Sequence, residues 1–250
     1  MNTRKRIVVI GATSAIAHQC SRLWAQEGGC DFLLVSRDAG RAEPLAADLR
    51  ARGADNTAST VAMGFDDADA IAALARDAAN GGPIDIVLIA HGSLPRQQDC
   101  QDDLCATKDA LVTNGLSPAL FAEAFIGVMQ GADRGHLCLI GSVAGDRGRK
   151  SNYVYGAAKG LVERYAQGLQ HRLAGTCIKV TLAKPGPTDT PMTAHLKQEG
   201  AKLASAEVVA REIVKAIAAG RPVVYAPGKW ALIMLVIRGL PRAVFHKLNI

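Results

Sequence analysis

Three side chains invite chemistry by type and spacing. Ser142 follows the apolar run Leu139-Ile140 through Gly141, and Tyr155-Gly156-Ala157-Ala158-Lys159 begins thirteen residues further on. In a helix, residues four apart share a face, so the phenol and the ammonium would stand side by side. A phenol with a pKa of about 10 is a poor proton shuttle near neutrality. A neighbouring cation stabilises the phenolate and lowers that value. Phenol and ammonium together would make a proton-transfer device. A Tyr–Lys pair alone is also what a surface packing contact leaves; the serine and the turn described below separate the two readings.

Such a device needs a frame. Runs rich in Val, Ile and Leu recur at Arg6 to Ile10, Phe32 to Val35, Ile84 to Ala90, His136 to Ile140 and Ile178 to Leu182, each reading as a strand buried on both faces. Between them lie Ala-rich stretches with helical apolar spacing, such as Ile16 to Glu27, Arg41 to Arg52 and Ala68 to Ala79. The alternation predicts an α/β fold, a doubly wound, mostly parallel Rossmann-like sheet with helices on both faces. At 250 residues and 49% hydrophobic, with no dividing linker and no repeat, residues 1–250 are expected to form one domain. Residues 226–250 are expected to be an apolar and basic helical extension.

The segment Gly11-Ala12-Thr13-Ser14-Ala15-Ile16-Ala17 follows the first strand and opens the first helix. A dinucleotide fold needs a tight turn there, with free N–H groups for a pyrophosphate. Only one of the three usual glycines is present; Ala15 and Ala17 still allow fairly close approach. The second strand ends at Ser36-Arg37, where NAD-binding folds usually carry an acid for the ribose 2′-hydroxyl. An arginine beside a hydroxyl suits a 2′-phosphate, so NADP(H) is expected ahead of NAD(H). The alternative is a solvated loop arginine. Asp38 would then pair with Arg37 or face water.

In this order of turn, Ser142, Tyr155 and Lys159, the chain resembles the short-chain dehydrogenase/reductase family from about Arg4 to about Val224. The resemblance implies that Ser142 holds the substrate oxygen, Tyr155 gives or takes its proton, and Lys159 tunes Tyr155 and bonds the nicotinamide ribose. It implies that Asn114, in Leu111-Val112-Thr113-Asn114-Gly115, supports a relay water. Gly11, Thr13, Ser14, Ala15, Ile16, Ser36 and Arg37 would hold the cofactor, with Asp66 on the adenine amino group. Pro185, Gly186 and Thr188 would hold the carboxamide, and a substrate loop would run from Thr188 to about Lys202. Ile89-Ala90-His91-Gly92 replaces the family's common Asn-Asn-Ala-Gly, and Ile10 replaces the threonine before the first glycine. Ala90, His91 and Gly92 are still expected at the cofactor; His91 either touches substrate or fills the loop. The implied activity is NADP(H)-dependent interconversion of a carbonyl and a secondary alcohol, in a homo-dimer or homo-tetramer. A catalytically idle NADP(H)-binding redox sensor is the alternative.

Net charge is +6 with a pI near 9.1, yet there are only 2 Trp, 4 Tyr and 5 Phe and no continuous basic stripe, so nucleic acid is not expected as a partner. Six cysteines show no metal-like spacing, which with the absence of a leader reads as free thiols in the cytoplasm. The basic run Arg147-Gly148-Arg149-Lys150 is either a binder of an anionic, phosphate-bearing substrate or a solvated loop. In the tail, Trp230 to Ile237 is an eight-residue apolar run, short of the roughly 20 residues needed to span a bilayer. Flanked by Lys229, Arg238, Arg242, His246 and Lys247, it reads as a peripheral membrane contact over 229–250, as a cover for the cleft, or as a subunit interface. In composition this tail is similar to that of family reductases acting on polyprenyl-phosphate-linked keto-sugars, which makes a keto-sugar or lipid-linked ketone one candidate for a substrate that the sequence does not identify.

Overall fold

The computed structural model describes residues 4–248. The strands are β1 (Lys5–Ile10), β2 (Cys30–Ser36), β3 (Thr57–Ala62), β4 (Ile86–Ile89), β5 (His136–Ile140), β6 (Lys179–Pro185), the two-residue β7 (Thr188–Asp189) and β8 (Ala204–Ser205), and β9 (Val223–Ala226). The helices are α1 (Ala15–Glu27), α2 (Ala39–Ala51), α3 (Ala68–Asn80), α4 (Gln97–Asp102), α5 (Leu104–Leu111), α6 (Ser117–Gln130), α7 (Tyr153–Arg172), α8 (Ala194–Gln198), α9 (Ala206–Ala218), α10 (Lys229–Gly239) and α11 (Arg242–Phe245). Seven strands form one parallel sheet in the order β3-β2-β1-β4-β5-β6-β9, while β7 pairs with β8. This is the α/β Rossmann-like architecture the alternation predicts.

Side-chain alternation along the strands feeds two cores. Ile7, Val9, Ile86 and Leu88 face α1, α2 and α9 on one side. Val8, Ile10, Val87, Ile89, Leu137 and Leu139 face α3, α6 and α7 on the other. Buried on both sides, the central strands have no polar face and read as unbroken apolar runs. The apolar-run criterion passes over β3 and β9, the two edge strands, because Thr57-Ala58-Ser59-Thr60 and Val223 remain partly exposed. It also overextends β4, whose pairing stops at Ile86 and Ile89, with Ile84 and Ala90 buried just beyond.

Each early helix starts on a short polar side chain that accepts an otherwise unpaired N–H. Ser14 accepts from Ala17, Asp38 from Gly40, and Asp67 from Asp69 and Ala70. Strand order reverses between β1 and β4: the chain winds outward to β3 on one side and to β9 on the other. At that divergence the loops part and leave a crevice at the carboxyl ends of the strands. The stretch Leu104–Gln130 is long and apolar enough by composition to cross a membrane, but Phe121, Phe125, Ile126 and Met129 on it lie in the core. The expected extension consists of α10 and α11, with Asn249 and Ile250 outside the described residues.

Candidate active site

A cleft of about 700 Å³ opens at the carboxyl edge, above the divergence of β1 and β4. Every residue expected at the cofactor or in proton transfer lines it. Gly11, Thr13, Ser14, Ala15 and Ile16 come from the β1–α1 turn, and Ser36, Arg37 and Asp66 from the loops after β2 and β3. Ala90, His91 and Gly92 follow β4; Asn114, Ser142, Tyr155 and Lys159 form the opposite wall; Pro185, Gly186 and Thr188 close the end beyond β6.

Ser142 lies one residue past Gly141 at the end of β5 and caps a short helical turn, Val143–Asp146, by accepting the Ala144 N–H at 3.1 Å. Used there as an acceptor, its hydroxyl keeps its proton to donate. Tyr155 and Lys159 stand in the first two turns of α7. The Lys159 Nζ lies 5.8 Å from the Tyr155 ring centre and donates to the Ile140 carbonyl at 2.9 Å, tying α7 to the end of β5. Burial lowers the Lys159 pKa to about 8. Burial also raises the Tyr155 pKa, and a hydrogen bond from Ser142 only partly opposes it. The expected lowering of the phenol by Lys159 is therefore not what this geometry gives, because the ammonium is turned toward a backbone carbonyl and desolvation dominates.

Asn114 is fully buried in a π-turn, Val112–Leu116, that joins α5 to α6. Its Oδ1 accepts the Ser93 N–H at 2.9 Å, and its Nδ2 donates to the Ala110 carbonyl at 2.9 Å and to the Ser93 hydroxyl at 3.3 Å. The amide thus clamps the loop after β4; such π-turns recur where a side chain must be aimed at a site.

At the other end, Gly11 has φ of +82°, and a Cβ there would lie 2.6–2.7 Å from His91 backbone and side-chain atoms. No other residue from Ala12 to Ala17 has positive φ. The turn therefore requires one glycine, and the alanines that depart from the usual motif stand at positions where a methyl fits. Arg37 is exposed and has no carboxylate partner among the described residues. Asp38 neither pairs with it nor simply faces water: it accepts the Gly40 N–H at 2.9 Å as the cap of α2. Ser36 departs from expectation too, since its hydroxyl donates to the Asp38 carbonyl at 2.6 Å and has no proton left for a phosphate. A second cation that the sequence reading missed, Arg41 in the first turn of α2, lines the same rim.

His91 fills the loop. Its Nε2 lies 2.8 Å from the Ser117 hydroxyl, and its ring packs at 4.7 Å from Phe65 and 5.5 Å from Phe121. Burial first, then the positive charges of Lys159 and Arg37, lower its pKa to about 3, so the ring is neutral at physiological pH.

Two clusters behind the cleft escaped the sequence reading. Lys184, near the end of β6, pairs with Asp146 and with Glu163 at 2.8 Å, while the Tyr225 hydroxyl donates to Asp146 at 2.8 Å. This buried group joins the turn after Ser142, the helix of Tyr155 and the strand leading to Gly186. The only sequence signal was Glu163, four residues after Lys159 on α7. The second cluster uses the basic run. Arg147 donates to the last carbonyls of α10, Ile237 at 2.5 Å and Leu240 at 2.7 Å, and lies 3.8 Å from the centre of the Phe245 ring. Arg149 lines the cleft beside Met234 of α10, with its Nε buried and unpartnered. A side chain on Gly186 would overlap the Trp230 indole, so α10 is seated directly on the loop after β6.

Residues 5–201 match the family model described as short chain dehydrogenase. An uncharacterized oxidoreductase of Mycobacterium tuberculosis (strain ATCC 25618 / H37Rv) is 32% identical over 248 residues, covering 97% of this chain and 96% of the relative. One from Streptomyces coelicolor is 29% identical over 248 residues, covering 98% and 96%. Among solved structures, a short-chain dehydrogenase from Sphingobium yanoikuyae in complex with NADPH superposes with a TM-score of 0.83 at 21% identity, covering 98% and 96%. The 3-oxoacyl-[acyl-carrier protein] reductase of Brucella melitensis in complex with NAD gives 0.80 at 20%, covering 93% and 99%. At these identities the two structures speak for the fold.

Proposed function

The chain belongs to the short-chain dehydrogenase/reductase family of oxidoreductases, and from that premise we propose that it interconverts a carbonyl and a secondary alcohol, using NADP(H) in preference to NAD(H). The observation that carries this reading is the convergence of Ser142, Tyr155 and Lys159 on the same cleft as the β1–α1 turn. The residues present fit a nicotinamide dinucleotide. Gly11, with its positive φ, lets the β1–α1 turn pack against the loop after β4, helix α1 begins at Ala15, and Arg37 offers at the rim a guanidinium with no carboxylate partner among the described residues. Relatives of this fold carry NADPH or NAD. The choice therefore falls to the rim, where Arg37 and Arg41 favour a 2′-phosphate.

When bound, the nucleotide supplies the hydride. The protein supplies orientation and the proton. Ser142 donates to the substrate oxygen, and Tyr155 protonates that oxygen in reduction or accepts its proton in oxidation. Lys159, its ammonium held at the end of β5 by the Ile140 carbonyl, would bond the nicotinamide ribose, and Asn114 keeps the loop after β4 in place. Arg149, a cation in the cleft wall that forms no salt bridge among the described residues, favours a substrate bearing an anionic group, consistent with a keto-sugar or lipid-linked ketone. A homo-dimer through α5 and α7 accounts for the exposure of Leu104, Leu111, Tyr153 and Leu161.

Incubation with NADPH deuterated at nicotinamide C4 and a panel of carbonyl compounds tests the reaction. Deuterium should appear on the former carbonyl carbon of a product. Stoichiometric NADPH binding with no deuterium transfer to any compound would favour the idle sensor.

A further inference from the structure

We propose that α10 and α11 form a docking face for an anionic lipid bilayer and bring the mouth of the cleft to its surface. Charge is partitioned along the chain. After Glu212 there is no acidic residue, while Lys215, Arg221, Lys229, Arg238, Arg242 and Lys247 follow. Up to Glu212 the chain holds 23 residues of each sign, so the entire formal surplus of +6 lies beyond it.

The same segment is apolar where it meets solvent. Leu232 is 68% exposed, Leu235 59% and Val236 58%, with Val244 and Leu248 exposed further on. The opposite side of α10 is also apolar: Met234 is buried, and Trp230 and Ile237 are half-buried against the body. An ordinary surface helix carries polar residues on its outer face. Here the outer face is apolar and rimmed by cations, the pattern of a helix lying in a lipid interface. At 11 residues α10 is about 16 Å long, too short to cross a bilayer.

The face is built in place. Arg147 holds the last carbonyls of α10 and stacks on Phe245 of α11, so Leu232, Leu235 and Val236 point outward from an anchored helix. Charge also selects the occupant. A second copy of this face would set cations against cations, since α10 and α11 carry no acidic residue. Anionic headgroups complement it. Because Trp230 rests on Gly186 and Met234 touches Arg149, both at the cleft, docking would present the substrate end to molecules held in the membrane. The docking face rests on observations independent of the proposed reaction, although it would deepen that reading by naming a lipid surface as the source of substrate.

Flotation of the full chain with phosphatidylcholine vesicles, with and without phosphatidylglycerol, tests this directly. The protein should float with the anionic vesicles only, less so as salt rises. Replacing Leu232, Leu235 and Val236 together by serine should abolish flotation. Replacing Arg238, Arg242 and Lys247 by serine should weaken it about hundredfold, at about fivefold per cation. Both variants should keep NADPH binding and native mass. Absence of the wild-type chain from anionic vesicles, or undiminished binding by either variant, would overturn the proposal. A fall in oligomer mass in the apolar variant would instead assign the face to a second copy.

Discussion

Replacing Lys184 by methionine probes the buried ion cluster behind the cleft. The Lys184 side chain is 3% exposed, Asp146 0% and Glu163 14%, so removing the cation leaves two carboxylates facing each other in a poorly solvated space. Breaking a buried pair in this way costs about 3–5 kcal/mol. In a chain of this size each kcal/mol lowers Tm by about 2–4 °C, so the variant should melt roughly 6–20 °C below wild type. Burial alone would lower the Lys184 pKa, but the bonds to Asp146 and Glu163 outweigh it and the net shift is upward. The ammonium's stabilising contribution is therefore complete below the unfolded lysine value of about 10.4 and lost only as pH rises through the higher folded value. Between about pH 6 and pH 9 Lys184 stays protonated in the wild-type protein, so its contribution is intact there. Thermal unfolding followed by circular dichroism measures it. Adding Asp146→Asn and Glu163→Gln removes the stranded charges and should recover most of the loss. A Tm within about 3 °C of wild type for Lys184→Met, equivalent to roughly 1 kcal/mol, would refute the reasoning.

Three further outcomes follow from the cleft. Arg37→Ala should weaken NADPH binding about 10- to 100-fold, the value of one or two charge-assisted hydrogen bonds, and leave NADH unaffected in a fluorescence titration; equal loss of both would contradict a 2′-phosphate role. Since burial brings the Lys159 pKa to about 8, its ammonium is lost as pH rises through that value. The kcat/KM for reduction should fall above it, and Lys159→Arg, which stays protonated, should lack that limb; the same limb in both proteins would assign it to another group. His91, with a pKa lowered to about 3, is neutral throughout the usual range, so rate profiles should show no His91 limb between about pH 5 and pH 7. An acid limb that vanishes in His91→Gln would show otherwise.

Ser142, Tyr155 and Lys159 were legible because their partnership is nearly local: two lie one helical turn apart, and the third ends the strand that packs beside them. The central strands were legible because they are buried on both faces. The edge strands β3 and β9 were not, since a half-exposed strand tolerates Thr57, Ser59 and Thr60 and loses the apolar signal. Lys184 was invisible as a partner for Asp146 and Glu163 because the three lie on separate elements that only the completed sheet brings together. Arg147 looked like part of a substrate-facing basic loop, yet its partners are backbone carbonyls about ninety residues away, which no side-chain pattern reveals. Asp38 was read against its neighbour Arg37, whereas the need of α2 for a cap decides its position. The glycine-poor turn became intelligible only from backbone angles, which place the whole conformational demand on Gly11.

The central claim, that this cleft transfers a hydride and a proton with Tyr155 moving the proton, is tested most directly by Tyr155→Phe. Wild type and variant should be compared in NADPH-dependent reduction of whichever carbonyl compound the wild type reduces. The variant should lose about 10²–10⁴-fold or more in kcat, the range for loss of a positioned general acid, with the NADPH dissociation constant within about twofold of wild type, less than 0.5 kcal/mol. A Tyr155→Phe enzyme that turns over at the wild-type rate would contradict the account.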